Sequence, residues 1–301
     1  MRLVLGTRGS LLARTQSETV AQFLRERGFQ VEVRIYKTAG DIHLDRPLSA
    51  MPNKGAFTKE LEDALSAREI DLAVHSLKDL PSEFPQGLTV CYFPDRQDPR
   101  DALVAPKGSS LSLKKLSSGV RIGTSSVRRS AQLLAVNPNF VLCSLRGNVD
   151  TRLRKLDDGE FDAIILAGAG LDRLGFSDRI SERLDPFQFL PTPAQGCLGI
   201  EFRSDDLRIS QVFSEYQNSS AIRCVRAERA FLSVFGGGCS APLGALATEK
   251  NGVIELQAAL WSADGKNCWR ETQSSENDPE QLGEYVAKKL SEKVPAIKFP
   301  L

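Results

Sequence analysis

The sequence is poor in several features at once, and each shortage removes a class of protein. Its first residues, MRLVLGTRGS, contain no long apolar stretch ending in a small-residue cleavage site, so no secretory signal is expected. No window approaches 18 uninterrupted apolar residues, so no membrane span is expected. There are only two histidines, and none of the six cysteines forms a CxxC pair, which argues against a zinc site. A disulfide framework is not expected in a chain of 301 residues without export, and most of these cysteines read as small buried hydrophobes. A Walker A loop is absent, and AGAGLDRLG lacks the GxGxxG spacing. Aromatics are 7% and are not interleaved with basic residues, which argues against single-stranded nucleic acid. Lys plus Arg is 39 against 38 acids, a net charge of +1, so neither an acidic tail nor a general basic coat is present. No internal repeat and no low-complexity segment stands out.

What is there suffices for a folded protein of two to three domains. The 41% hydrophobic content can supply cores. The cations divide unevenly into 25 Arg and 14 Lys. Arginine is the side chain that grips carboxylate or phosphate in a planar fork, so the placing of the arginines matters.

Along the first two thirds, strand-like and helix-like patterns alternate. Leu3–Leu5, Val31–Tyr36 and Leu72–His75 read as strands, with helices at Leu11–Gly28 and Phe57–Ala67 between them. Val120–Gly123, Phe140–Leu145 and Ala163–Leu166 read as strands separated by helices at Ser126–Val136 and Val149–Leu156. Such alternation argues for parallel α/β sheets. Pro94–Asp101 (PDRQDPRD) is too charged for a core, and Leu190–Gly196 (LPTPAQG) is a second break. The expected plan is domain 1 over 1–96 and 191–218, domain 2 over 97–190, and an α+β domain 3 over 219–301. In domain 3, Ala221–Val234 and Pro279–Leu290 read as helices, with strands at Val253–Leu260 and Cys268–Thr272.

In open α/β sheets ligands bind beyond the carboxyl ends of strands. Arg8 and Ser10 follow the first strand, and Ser76, Lys78 and Asp79 follow Leu72–His75. Thr124, Ser125, Ser126, Arg128 and Arg129 follow Val120–Gly123. Arg146, Asn148 and Arg152 follow Phe140–Leu145, and Arg173 follows Ala163–Leu166. Any one of these is an ordinary helix start or surface ion pair. Together they suit a ligand with several carboxylates. Val120–Lys155 holds six Arg and one Lys against Asp150, a local +6, and helix N-termini add to the attraction for anions. Asp79 has three roles open to it: an ion pair with Lys78 or an Arg, an acceptor for a ligand N–H, or a stabiliser of positive charge. Cys239, in FGGGCSAPLG, is either a small residue in a tight turn or an accessible thiol used for covalent attachment.

Taken in order, TRGS, KTAGD, NKGAFTKELE, DLAVHSLKDLP, GTSSVRR, LRGNVDTRL, AGLDRLG, PAQG followed by GIE, and GGGCSAPLG make the chain resemble the hydroxymethylbilane synthase (porphobilinogen deaminase) family. The resemblance runs through almost the whole chain. It implies two α/β domains like those of type II periplasmic binding proteins, with an active cleft between them, plus a small α+β C-terminal domain. It implies a cytoplasmic, monomeric transferase of tetrapyrrole (haem and chlorophyll) biosynthesis, acting on porphobilinogen and holding polypyrrole intermediates, with no metal, nucleic acid or membrane partner. Its cofactor would be a dipyrromethane primer on a thioether to Cys239. Four porphobilinogen units would join it with loss of ammonia, and water would release the linear tetrapyrrole.

By matching motifs, the cofactor would be held by Ser10, Lys78, Asp79, Thr124, Ser126, Arg128, Arg129, Arg146 and Gly147. Substrate would be held by Arg8, Arg146, Asn148, Arg152, Arg173 and Gln195. Lys54 and Lys59 would lie on a mobile loop. Asp79 would be the catalytic carboxylate, stabilising the cation left when ammonia departs. Six rings carry about twelve carboxylates, which suits Arg forks at neutral net charge. The chain departs from the family in having Ala194 where a glycine commonly precedes Gln195, and in Cys197, which is a second thiol to exclude as the attachment point. A solute-binding module or a nucleic-acid binder using the +6 window are the competing classes.

Overall fold

The computed structural model describes residues 1–38, 58–236 and 241–294. These fall into two compact units, Met1–Arg96 with Cys197–Ile222, and Gln97–Gly196 with Arg223–Leu301. In chain order the first part runs β1 (Arg2–Arg8), α1 (Leu11–Arg25), β2 (Gln30–Tyr36), α2 (Lys59–Ser66), β3 (Leu72–Ser76) and β4 (Leu88–Tyr92). The next part runs β5 (Asp101–Val104), β6 (Arg121–Gly123), α3 (Val127–Val136), β7 (Val141–Cys143), α4 (Val149–Asp157), β8 (Ala163–Ala167), α5 (Gly168–Arg173) and β9 (Ile180–Arg183). Then come β10 (Leu198–Arg203), α6 (Leu207–Ser214), α7 (Ser220–Val234), β11 (Leu243–Lys250), β12 (Val253–Trp261), β13 (Cys268–Ser275) and α8 (Pro279–Lys293).

The first unit is built on a five-stranded sheet ordered β2-β1-β3-β10-β4. β1 is parallel to β2 and β3, while β10 runs antiparallel to both β3 and β4. The alternation of side chains along a strand separates two cores. Leu72 and Val74 face one core with Leu3, Leu5, Val20 and Phe213, and Ala73 faces the other with Leu61, Leu65 and Ile70.

The second unit contains a sheet of the same plan, ordered β7-β6-β8-β5-β9, with β5 antiparallel to β8 and β9. Ala102 and Val104 face the core with Leu153 and Leu166, while Leu103 faces the one with Leu133 and Ile165. The α/β fold class is as expected, but both sheets are mixed rather than wholly parallel. The antiparallel strands are β10, which re-enters the first sheet, and β5, which opens the second.

The C-terminal α+β part packs a three-stranded antiparallel sheet, β11-β12-β13, against α7 and α8. It groups with Gln97–Gly196 in the second compact unit. Leu246, Ala259 and Trp261 form a buried cluster with Ala131 of α3 and Leu190. Gly265 fits against the backbone of α3, where a Cβ would lie 2.5 Å from the Ala131 oxygen. The return to the first unit falls at Cys197, later than a boundary at 191, because residues 191–196 are bonded into the second unit.

Candidate functional site at the strand ends

In the first unit, Ser10 caps α1, its Oγ accepting from the Ala13 N–H at 3.2 Å. Thr7 is buried and its Oγ1 donates to the Ala13 carbonyl at 3.1 Å, which ties the end of β1 to the helix. Gln16 of α1 donates from Nε2 to Ser76 Oγ at 2.8 Å, joining that helix to the end of β3. Beyond β3 the chain makes a single 3-10 turn, Leu77–Asp79. Leu77 and Leu80 are buried and pin the turn from below, and the Leu77 N–H donates to the Cys197 carbonyl at 3.0 Å. Gly199 of β10 leaves room for the pair, since a Cβ there would stand 2.9 Å from Leu80 Cδ1 and 3.0 Å from Leu77 Cδ1. This clamp turns Lys78 half out and leaves Asp79 exposed. Asp79 has no hydrogen bond or ion pair among the described residues, so of its three open roles the ion pair is not realised here. Arg8, at the end of β1, is half-buried. Lys59 begins α2 and is exposed, whereas Lys54 lies outside the described residues.

In the second unit, Thr124 is buried and its Oγ1 accepts from the Ser126 N–H at 3.2 Å. Ser126 caps α3 by accepting from the Arg129 N–H at 3.4 Å. Ser125 donates to the Leu145 carbonyl at 2.8 Å and accepts from the Leu145 N–H at 3.0 Å, fastening β6 to the segment after β7. Gly147 has φ of +112°, and a Cβ there would lie 2.7 Å from Thr151 Cγ2, so glycine is required. Arg152 Nε donates to the Gly147 carbonyl at 2.7 Å, and Arg146 beside it is half-buried. Asn148 occupies the cap of α4 without using its side chain to cap it, and it is exposed. Arg173 Nη2 donates to the Gly196 carbonyl at 2.7 Å.

Arg128 and Arg129 are placed differently from the expectation of two open forks. They are 4% and 7% exposed, and both close on Asp101, which is 0% exposed. Arg128 Nη2 reaches Asp101 Oδ2 at 2.7 Å, and Arg129 Nη2 reaches Oδ1 at 2.7 Å. Arg129 Nη1 donates to the Ile165 carbonyl at 3.1 Å, and Arg128 Nη1 to the Leu190 carbonyl. Burial alone would raise the Asp101 pKa. The two guanidiniums outweigh it and hold the carboxyl well below the usual carboxylate range.

Gln195, expected to face a ligand, is 1% exposed and donates to Asp101 Oδ1 at 3.0 Å and to the Pro99 carbonyl at 2.7 Å. The segment judged too charged for a core therefore ends in a core charge. A further set missed in the sequence joins Asp98, Arg100, Asp172 and Arg183, with Arg183 Nη2 on Asp172 Oδ1 at 2.7 Å. The signal available for Asp101 was an acid heading the apolar run Asp101–Val104, opposite two arginines in need of counter-charge.

This reduces the +6 window to +4, since two acids from outside that stretch of sequence pair into it: Asp101 with Arg128 and Arg129, and Asp162 with Arg121 at 2.7 Å. What remains at the strand ends is a set of hydroxyls, helix N-termini and half-buried arginines. Arg128 Nε is also a buried donor with no partner among the described residues. This donor-rich composition fits the acetate and propionate side chains of a dipyrromethane. Cys239 lies outside the described residues, in the connection from α7 to β11. Cys197 is 2% exposed. No group of three or more His, Cys, Asp or Glu suited to a metal ion occurs among the described residues. No described helix is long and apolar enough to cross a membrane.

The fold is α/β, each unit carries anion-favouring hydroxyls, cations and helix N-termini at its own strand ends, and Asp79 is an exposed carboxylate with no ion pair among the described residues. Comparison with known proteins supplies the family. The model described as "Porphobilinogen deaminase, dipyromethane cofactor binding domain" matches residues 3–211, and "Porphobilinogen deaminase, C-terminal domain" matches residues 222–292. The porphobilinogen deaminase of Roseiflexus sp. (strain RS-1) is 46% identical over 290 residues, 96% of this chain and 95% of the relative. That of Staphylococcus carnosus (strain TM300) is 44% identical over 295 residues, 97% and 95% of the two chains. Among solved structures, the BvgS VFT2 domain of Bordetella pertussis is similar at a TM-score of 0.44 and 13% identity, over 76% of this chain and 92% of that one. The chain belongs to the porphobilinogen deaminase family. It is an enzyme of tetrapyrrole biosynthesis with a dipyrromethane cofactor, which removes the plain solute-binding reading.

Proposed function

We propose that the chain joins four porphobilinogen units, with loss of ammonia, onto a primer held by a thioether to Cys239, and that Asp79 is its catalytic carboxylate. The observation that carries this reading is the contrast at Asp79: an exposed carboxylate on a clamped turn, with no ion pair among the described residues. When bound, the dipyrromethane supplies the free pyrrole end that grows. Asp79 Oδ accepts from a pyrrole N–H and so stabilises the positive charge that appears as the substrate loses its amine. The same oxygen can carry a proton toward the leaving amine and away from the new ring junction. Ser10, Lys78, Thr124, Ser126, Arg146 and Gly147 hold carboxylate side chains of the cofactor. Arg8, Asn148, Arg152 and Arg173 hold those of the incoming unit. Arg128 and Arg129 act from behind, by fixing the N-terminus of α3 on Asp101. The enzyme is proposed to work as a monomer in the cytoplasm, without nucleic acid.

The test is an assay with porphobilinogen combined with mass spectrometry of the denatured protein. The reading expects enzyme-bound mass steps of one pyrrole unit, with the dipyrromethane on the Cys239 peptide. A primer on the Cys197 peptide, or turnover without bound steps, would overturn it.

A further inference from the structure

The residues from Leu190 to Gly196 form a strap held from two sides within the second unit. On one side, the Leu190 carbonyl accepts from Gln132 Nε2 at 3.0 Å and from Arg128, and Gln195 donates to Asp101 and Pro99. On the other side lies β11, an edge strand whose N–H groups on alternate residues point away from β12. The Ala245 N–H donates to the Pro191 carbonyl at 3.0 Å. The Ala247 N–H donates to Glu228 Oε1 at 2.8 Å. Glu228, on α7, is 0% exposed, and its Oε2 accepts from the Ala194 N–H at 2.7 Å. Ala194 has φ of +63°, a left-handed conformation that costs an alanine energy. Gly244 completes the fit, since a Cβ there would lie 2.8 Å from Leu190 Cβ.

One buried carboxyl group thus satisfies a sheet-edge amide and the amide of a strained strap residue. We infer that Glu228 is a positioning residue for elongation. It clasps the strap to β11, so that β11, which begins four residues after Cys239 in the sequence, keeps a fixed register with the strand ends of the second sheet. On this inference the growing chain is not accommodated by rocking of the C-terminal sheet against α3. The inference rests on Cys239 as the attachment point.

The test uses the full-length holoenzyme carrying Glu228→Gln, which keeps one acceptor and sets an amide N–H against one of the two donors. Hydrogen exchange in peptides covering residues 191–196 and 243–248 is expected to rise about tenfold or more, while β1 and β3 stay protected. Bound primer, read with Ehrlich's reagent, is expected to be unchanged, and KM for porphobilinogen to stay within about twofold while kcat falls about tenfold. Bound mass steps should accumulate at a length the unaltered enzyme passes through. Unchanged exchange in both segments, or unchanged kcat and mass steps, would overturn the inference. If Glu228→Gln does not fold, exchange of the unaltered enzyme in increasing urea decides. The strap and β11 peptides should open at one midpoint, and separate midpoints would overturn the clasp. The exchange measurements do not depend on where the primer is attached, so a primer found elsewhere than Cys239 would refute that assignment separately.

Discussion

In the first sheet the chain leaves β3 through a turn that puts Asp79 in solvent, on a base of Leu77 and Leu80. In the second sheet the residue that begins β5, Asp101, has no exposure and is enclosed by Arg128, Arg129 and Gln195. The two sheets share one plan, with a parallel trio followed by two antiparallel pairings. Their first helices are capped alike, by Ser10 and Ser126. Gln16 and Gln132 occupy the same place after those caps and are both buried. The scaffold therefore does not decide what a carboxylate does. Desolvation does: Asp101 can stay ionised in the core only with charged and hydrogen-bonding partners, whereas Asp79 needs none and remains available to a ligand.

Four substitutions would break or sharpen this contrast. Asp79→Asn should lower turnover about 10²–10⁴-fold while leaving thermal stability and primer content near those of the unaltered enzyme, as checked by assay, melting and Ehrlich's reagent. Asp101→Asn should do the reverse. It leaves two buried guanidiniums short of counter-charge and should cost about 3–5 kcal/mol in denaturant unfolding.

The pH dependence carries the same sign. A carboxyl whose pKa is lower in the folded than in the unfolded state stabilises above its unfolded value, about 4, and that stability is lost as pH falls through the folded value. Acid titration of the unaltered enzyme should show this loss below about pH 4, and Asp101→Asn should lack that share of it. Gly147→Ala, at φ of +112° with Thr151 in the way, should cost about 1–3 kcal/mol, read as a lowered melting midpoint. Arg121→Ala removes an exposed pair with Asp162 and should change stability by less than about 1 kcal/mol.

Much of this was legible in the sequence because it is local. Alternating periods located β1, β3, β6, β7 and β8, and with them the residues that lie just beyond their carboxyl ends. TRGS and GTSSVRR also carry their helix caps within themselves. The buried network was not legible, because its members are far apart in the chain. Asp101 is 27 positions from Arg128, and Gln195 is 94 from Asp101. A charge count over a window sees Arg128 and Arg129 but not their partner. Strand β5, only Asp101–Val104, was hidden by the charged run before it. The strand edge satisfied by Glu228 is likewise a property of three-dimensional pairing, with no spacing to announce it.

The most direct measurement is turnover per bound primer for Asp79→Asn and Asp101→Asn, side by side on folded, Ehrlich-positive protein. Asp79→Asn should carry its full primer and lose most turnover, while the primer-loaded fraction of Asp101→Asn should keep activity within about tenfold of the unaltered enzyme. Near-normal turnover by Asp79→Asn, or an equal loss in both variants at full primer load, would contradict the division between a reactive and a structural carboxylate.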